Sequence, residues 1–203
     1  MRHVLKLDDP GVAPLLLSLR KRFPAAQVSF PVVDCGCVPV ETLRLATVPT
    51  EVAVVRIVPG GTAAVEAFYS TLLLPVELEL LDLRAVRSVF AAVVRGRLAG
   101  ACVVNGASEG FGEDAVEYLR VDPGLAPPDY ADVWNGLARA AVCEVARRCD
   151  TLVSALHPAD RTHAVRAGLL TAHPEQYVVV SATDREDVSL RVAQHMSTLL
   201  AAA

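Results

Sequence analysis

The chain has 203 residues, of which 53% are hydrophobic and 21% are charged, and its formal net charge is -4. This composition supplies enough apolar side chains for one large core and excludes a generally disordered chain. An acidic chain lacks the excess of lysine and arginine that neutralises nucleic-acid phosphates or anionic membranes, so neither is predicted as a partner. The surplus of apolar residues is compatible with a homo-oligomer, such as a homodimer.

The sequence predicts neither a secretion signal nor a membrane span. Asp8 and Asp9 stand where a signal peptide would need its apolar segment. The apolar stretch 71–83 is interrupted by Pro75 and three acidic residues, whereas a spanning helix needs about 20 consecutive apolar residues. Five scattered cysteines, an odd number, do not suggest a disulfide framework. We therefore expect a cytoplasmic protein with reduced thiols.

Residues 1–50 are expected to form an extension with a β-α-β-like order. Short apolar segments at 2–7 and 27–33 predict strands, and leucines at near-helical spacing between them predict a helix over 14–22. Prolines and a glycine then punctuate the chain, and a short helix is predicted over 40–46. A domain boundary is placed after this extension.

A second domain is predicted over residues 51–183. The β-branched residues of 51–58 predict a strand, and the Pro-Gly-Gly turn after it is expected to release a helix over 62–73. The apolar runs 88–94 and 97–104 flank an Arg-Gly pair and predict a β-hairpin.

The second half of this domain is predicted to alternate between strands and helices. A polar loop with three glycines at 105–114 precedes a strand over 115–121. The longest helix is predicted over 129–148, where apolar residues recur at steps of three and four. The remaining predicted elements are a strand at 151–156, a helix at 160–167, a strand at 176–181 and a C-terminal helix within 184–203.

The order of elements from residue 51, together with three local patterns, resembles the GNAT acyltransferase superfamily. Residues 89–101 (VFAAVVRGRLAGA) look like the family's second and third strands, and residues 117–123 (EYLRVDP) look like its fourth strand. Residues 157–169 resemble a late helix of the family in length and in the closing Gly168. The resemblance implies an α/β (α+β mixed sheet) fold in which helices flank a central mixed β-sheet, with the N-terminal extension and the C-terminal helix added to it.

The resemblance also implies a reaction, the transfer of an acyl group from acetyl-CoA or another acyl-CoA to an amine of a small molecule or a protein. In the family, the pantetheine arm pairs with the backbone of the fourth strand, which corresponds to Leu119, Arg120 and Val121. The diphosphate rests on amides at the start of the following helix, which corresponds to Asp129 and Tyr130.

Two residues match positions at which the family places catalytic groups or their neighbours. Glu117 occupies the position of a general base that accepts a proton from the acceptor amine. His163 lies beside Ala164, which stands where the family often has a tyrosine acid, and His157 replaces a customary asparagine. Each candidate also has a structural interpretation: Glu117 as a solvated or salt-bridged strand carboxylate, and His163 as an exposed helix residue.

The segment 124–132 (GLAPPDYAD) departs from the phosphate-binding loop of the family, which has an arginine or glutamine and closely spaced glycines. Pro127 and Pro128 lack N–H donors, and Asp129 and Asp132 place negative charge where phosphates would bind. Three alternatives therefore stay open: an ordinary acyltransferase, one that uses another acyl donor or places it differently, and a catalytically impaired pseudoenzyme that acts as a binding or dimerisation module.

No metal site is predicted. Cys35 and Cys37 are separated by one residue, whereas zinc-binding cysteine pairs are usually separated by two to four residues. His157, His163 and His173 are not spaced as a second pair of ligands.

Overall fold

The computed structural model describes residues 2–25, 27–58, 60–81, 83, 85–105, 111, 114–182 and 185–202. The strands in these residues are β1 (Arg2–Lys6), β2 (Val28–Ser29), β3 (Val32–Pro39), β4 (Val52–Ile57), β5 (Ser88–Val94), β6 (Arg97–Val104), β7 (Val116–Val121), β8 (Thr151–Leu156) and β9 (Glu175–Ala182). The α-helices are α1 (Val12–Arg22), α2 (Ala63–Ser70), α3 (Pro75–Leu80), α4 (Pro127–Val145), α5 (Arg161–Ala167) and α6 (Arg185–Ala202). Single 3-10 turns lie at Val40–Thr42 and Pro158–Asp160.

The strands form one mixed sheet in the order β1-β9-β3-β8-β7-β6-β5-β4, and β2 also pairs with β9. The described strand pairs are antiparallel, with the exception of the parallel pair β7 and β8. The predicted α/β mixed-sheet fold is thus confirmed. Because β3 pairs with both β8 and β9, strands from residues 1–50 lie within the same sheet as the later strands. The division of the chain into domains at residues 50 and 183 stays a prediction.

Helices cover both faces of this sheet. Successive strand residues point to opposite faces, and the core clusters follow this rule: Cys102 packs in the cluster of Trp134 from α4, while Val103 packs in the cluster of Tyr69 from α2. A separate apolar cluster joins α1 and α6 to the β1 and β9 end of the sheet. None of the helices in the described residues is long and apolar enough to span a membrane.

Helix α3 was not predicted from the sequence, because Pro75 reads as an interruption of the preceding helix. In the structure α2 ends at Ser70 and Pro75 begins a new helix, at the first helical position, where a missing N–H costs no hydrogen bond. The carboxylate of Glu77 accepts a hydrogen bond from the Leu74 N–H at 3.0 Å and so caps the new helix.

The predicted helix at 40–46 is reduced to one 3-10 turn, Val40–Thr42. The Arg44 N–H donates instead to the carbonyl of Ala167 in α5, at 2.8 Å. This tertiary hydrogen bond replaces a helical one and holds the segment in an extended conformation beside α5.

Some predicted features fall outside the described residues. Most of the loop at 105–114 does so, since residues 106–110, 112 and 113 are not described. The same holds for residues 183, 184 and 203, which bound the predicted C-terminal helix.

Candidate functional site

Strand β7 is bent by a bulge in its middle. Tyr118 has a φ of 49°, and the register with β6 shifts beside it, which leaves an extra residue on β7. The hydroxyl of Tyr69, a fully buried side chain of α2, donates a hydrogen bond to the Tyr118 carbonyl at 2.7 Å. Burial raises the pKa of Tyr69, so this hydroxyl keeps its proton and its role as a donor.

Beyond the bulge, one edge of β7 is open. The parallel pairing of β7 with β8 consists of two residue pairs and ends at Glu117, and β8 itself ends at Leu156. The backbone of Leu119–Val121 therefore lacks a strand partner on its β8 side within the described part of the chain. The guanidinium of Arg120 donates to the Leu119 carbonyl at 3.1 Å. An extended ligand that pairs with this edge would have to displace that side chain.

Glu117 forms a buried ion pair with Arg2. The side chain of Glu117 is 2% exposed, and its Oε2 lies 2.5 Å from Nη1 of Arg2, whose side chain is 12% exposed. Asn105 donates to Oε1 at 3.4 Å. Burial acts to lower the pKa of Arg2, but Tyr118 and Glu117 outweigh it and the pKa lies above its ordinary value. These contacts match the structural interpretation of Glu117 from the sequence, a salt-bridged carboxylate.

Arg2 reaches Glu117 across one face of the sheet. Strand pairing and alternation place five side chains on this face, in the order Arg2, Val179, Val33, Ala155 and Glu117. The three intervening side chains are small, which leaves room for the arginine to lie over them. All five line a cavity with about 30 Å³ of free space, roughly the room of one water molecule.

Two aromatic rings flank the Arg2 guanidinium. Its central carbon lies 5.5 Å from the ring centroids of both Phe111 and Tyr118. At this distance the cation is attracted to the negative ring faces. The cation is therefore held by one carboxylate and two rings.

The start of α4 offers few donors to an anion. Pro127 and Pro128 occupy its first turn and have no N–H. In the preceding loop, the Gly124 N–H donates to Oδ1 of Asp122 at 2.8 Å, and the Leu125 N–H donates to the Asp122 carbonyl at 3.2 Å. These residues do not fit the diphosphate of a coenzyme A molecule, because their amides are absent or already engaged.

His163 lies in a different environment from Glu117. Its ring packs against Tyr130 and Trp134, with a centroid distance of 5.6 Å to each. This stack belongs to the α4 and α5 side of the sheet, whereas Glu117 lies on the α2 and α3 side. The structure does not bring the two candidate catalytic residues together.

The groups around His163 are engaged in hydrogen bonds. The Tyr130 hydroxyl donates to Asp160 at 2.6 Å, and burial together with this carboxylate raises the pKa of Tyr130. Nδ1 of His157 accepts from the Ala159 N–H at 3.2 Å. Burial and the charge of Arg120 lower the pKa of His157, which favours a neutral imidazole.

The cysteines do not form a metal centre in the described part of the chain, where no group of three or more potential ligands occurs. Cys37 is exposed and Cys35 is half-buried. Burial, followed by the charges of Glu117 and Asp34, raises the pKa of Cys35 to about 12.

Three residues of this site were missed by sequence reasoning: Arg2, Tyr69 and Phe111. Tyr69 and Phe111 carry no local signal, since each looks like an ordinary aromatic residue of a helix or a loop. A weak signal existed for Arg2, because a charged residue on a short apolar strand needs a partner if it is buried.

No protein-family model and no curated protein matches the sequence. Among solved structures, a GCN5-related N-acetyltransferase from Kribbella flavida is similar with a TM-score of 0.55 and 12% identity, over 91% of this chain and 68% of that chain. One from Sphaerobacter thermophilus has a TM-score of 0.50 and 12% identity, over 88% and 58%. A functionally unknown conserved protein from Staphylococcus epidermidis has a TM-score of 0.58 and 8% identity, over 89% and 72%. This chain thus spans 58% to 72% of these proteins, and identities this low show a shared fold.

Proposed function

We propose that this chain, which has the fold of the GNAT N-acetyltransferases, transfers an acyl group from an acyl thioester to an amine. The observation that supports this reaction is the open edge of β7 at Leu119–Val121, next to the buried carboxylate of Glu117. A thioester arm that pairs with this edge would end at the bulge of Tyr118.

The residues of the chain have separate roles in this proposal. Acetyl-CoA or another acyl-CoA would supply the activated acyl group and would be held by its thioester arm along β7, because the start of α4 does not fit its diphosphate. The carboxylate of Glu117 accepts the proton of the attacking amine, and Tyr69 fixes the bulge through its hydrogen bond to Tyr118. Arg2 must first leave Glu117, because its guanidinium occupies Oε2. The acceptor is an amine of a small molecule or a protein, and a cytoplasmic location stays a prediction.

Thermal unfolding with and without millimolar acetyl-CoA tests this function first, because a ligand of the native state raises the unfolding temperature. Release of free thiol from acetyl-CoA is then measured with a panel of amines. Glu117→Gln is expected to keep the temperature shift and lose thiol release, while Glu79→Gln, at an exposed carboxylate of α3, keeps both. If several acyl-CoAs produce neither a shift nor thiol release, the acyltransferase proposal is wrong.

The start of α4 favours a second candidate, a catalytically impaired binding or dimerisation module. The missing N–H groups of Pro127 and Pro128 and the engaged amides before them weaken any diphosphate site. Sedimentation equilibrium separates the two candidates when it is combined with the thiol assay. A dimer without thiol release supports the module, and a monomer with robust turnover contradicts it.

A further inference from the structure

The guanidinium of Arg2 is bound in the manner of a ligand. One carboxylate oxygen of Glu117 lies 2.5 Å from Nη1, and the rings of Phe111 and Tyr118 each lie 5.5 Å from the guanidinium carbon. Proteins that recognise organic cations combine the same elements, a negative charge with aromatic faces. The pocket therefore has the chemistry of a cation site.

The walls of this pocket suit an alkyl chain. Its apolar side is lined by Pro31, Val33, Ala155 and Val179. Apart from Arg2, its charged lining consists of the carboxylates of Glu77 and Glu117 and the guanidinium of Arg120, so negative charge is in excess once Arg2 leaves. With Arg2 in place, about 30 Å³ of free space is left. A second cation can enter only when Arg2 leaves, since that space holds roughly one water molecule.

Arg2 lies at the end of a strand that can separate locally from the sheet. It lies on β1, an edge strand, and its backbone pairs with Ser181 at the end of the β1 and β9 ladder. The end of an edge strand opens at a lower free-energy cost than the interior of a sheet. Displacement of Arg2 thus requires separation of a strand end, with the rest of the sheet intact.

We propose that the pocket around Glu117 is a binding site for alkylammonium ions, which Arg2 fills in cis as an internal competitor. The claim that this pocket binds the acceptor amine rests on the proposed acyltransferase function. The claim that it binds alkylammonium ions does not depend on that function. A guanidinium does not release its proton at physiological pH, so Arg2 occupies the pocket without reacting. A primary alkylammonium ion releases its proton more readily, and its amine is then a nucleophile. The acceptor class is accordingly a linear cationic amine.

Chemical complementation of Arg2→Ala tests the cation site. Thermal unfolding is measured in the presence of ethylguanidinium, butylammonium or the neutral N-ethylurea, with sodium chloride added to equal ionic strength. Both cations are expected to raise the unfolding temperature of Arg2→Ala by at least about 3 °C at millimolar concentrations. N-ethylurea, which is similar in shape to ethylguanidinium but uncharged, is expected to produce no shift.

Two controls make the result specific. Arg20→Ala removes another arginine that lies over an aromatic ring, Phe30, at the surface, and its unfolding temperature is expected to be unaffected by the cations. Arg2→Ala combined with Glu117→Gln is expected to lose the response. Arg2→Met, which keeps an apolar stem, undergoes the same titration, so the conclusion does not depend on the folding of one variant. The cation site is refuted if the cations raise the unfolding temperatures of Arg2→Ala and Arg2→Met no more than that of the wild type. It is also refuted if N-ethylurea raises these temperatures as much as the cations do.

Arg2→Lys separates failure of the cation site from failure of the acyltransferase function. This change puts a primary amine beside Glu117. With acetyl-CoA, Glu117 would accept one proton of the lysine ammonium, and the neutral nitrogen would then attack the thioester carbonyl. The C–S bond would break, and the second proton lost by the nitrogen would pass to the leaving thiolate, which departs as free coenzyme A. Mass spectrometry is expected to find an acetyl group at position 2, and no acetyl group when Glu117→Gln is added. Cation binding by Arg2→Ala without acetylation of Arg2→Lys would support the cation site and contradict the acyltransferase function.

Discussion

The guanidinium of Arg161 donates two hydrogen bonds to the carboxylate of Asp34, from Nε to Oδ2 and from Nη2 to Oδ1, both of 2.7 Å. Asp34 is a fully buried residue of β3, and Arg161 begins α5. The side-chain amide of Gln176 donates a third hydrogen bond to Oδ1 at 2.9 Å. A strand from the N-terminal part of the chain is thereby fixed to a helix and a strand of the later part.

Arg161→Met is expected to lower the free energy of unfolding, because it leaves the fully buried carboxylate of Asp34 without its countercharge. Urea unfolding followed by circular dichroism measures the loss. Arg166→Met is the matched control, since Arg166 is exposed on the same helix, and its effect is expected to stay within about 0.5 kcal/mol. Equal midpoints for the two variants would contradict the role given to the Asp34 pair.

Gly36→Ala is expected to cost about 2 kcal/mol of stability, as overpacked sites do. A Cβ atom at this position of β3 would lie 2.1 Å from the carbonyl oxygen of Leu169 and 3.1 Å from Oγ of Ser154. The backbone oxygen cannot move away without disturbing the Ser154 hydroxyl that donates to it. Gly61→Ala serves as the control, because its nearest neighbour would be 3.4 Å away. Comparable unfolding temperatures for both variants would show that β3 and Leu169 are less closely packed than described.

Tyr69→Phe is expected to reduce the free energy of unfolding by about 1.5 kcal/mol, because the carbonyl of Tyr118 loses the donor that the fully buried Tyr69 provides. Tyr177→Phe provides the comparison, since the Tyr177 hydroxyl donates to Glu175 at the surface, and little change is expected. Chemical denaturation of both variants measures the difference. A larger loss in Tyr177→Phe would rule out a stabilising role of Tyr69 at the bulge.

Alkylation by iodoacetamide at pH 8 is expected to follow the environments of the cysteines, because the thiolate is the reactive form. Cys37 and Cys143 are exposed and should react at least about tenfold faster than the other cysteines. Burial raises the pKa of Cys35 to about 12 and also raises that of the fully buried Cys102, so both should stay largely unmodified. Peptide mass spectrometry resolves the five sites, and the same reaction in urea should remove the differences. Rapid labelling of Cys102 in the native protein would contradict its buried position.

The sequence determined those features that depend on neighbouring residues. Apolar, β-prone runs on either side of an Arg-Gly pair predicted β5 and β6 with the boundaries that the structure has. The apolar stripe of α4 predicted the longest helix to within three residues at each end. The fold class followed from the resemblance to the GNAT superfamily, which rested on the order of strands and helices together with three local patterns. Helix α3 could not be predicted from the sequence around Pro75, since a proline at the first position of a helix looks the same in a sequence as a proline that ends one.

Tertiary structure decided which strands pair and which charges meet. No local pattern places β3 between β8 and β9, or brings Arg2 to Glu117 across 115 positions of the chain. The physical reason is that Glu117, a residue with 1% exposure, needs a partner for its buried charge. The sequence does not say which lysine or arginine provides that partner, because the relative positions of these residues are fixed only when the sheet forms. The sequence identified Glu117 as a candidate base, a role that stays a prediction, and the arrangement of the strands determined that Arg2 occupies its site.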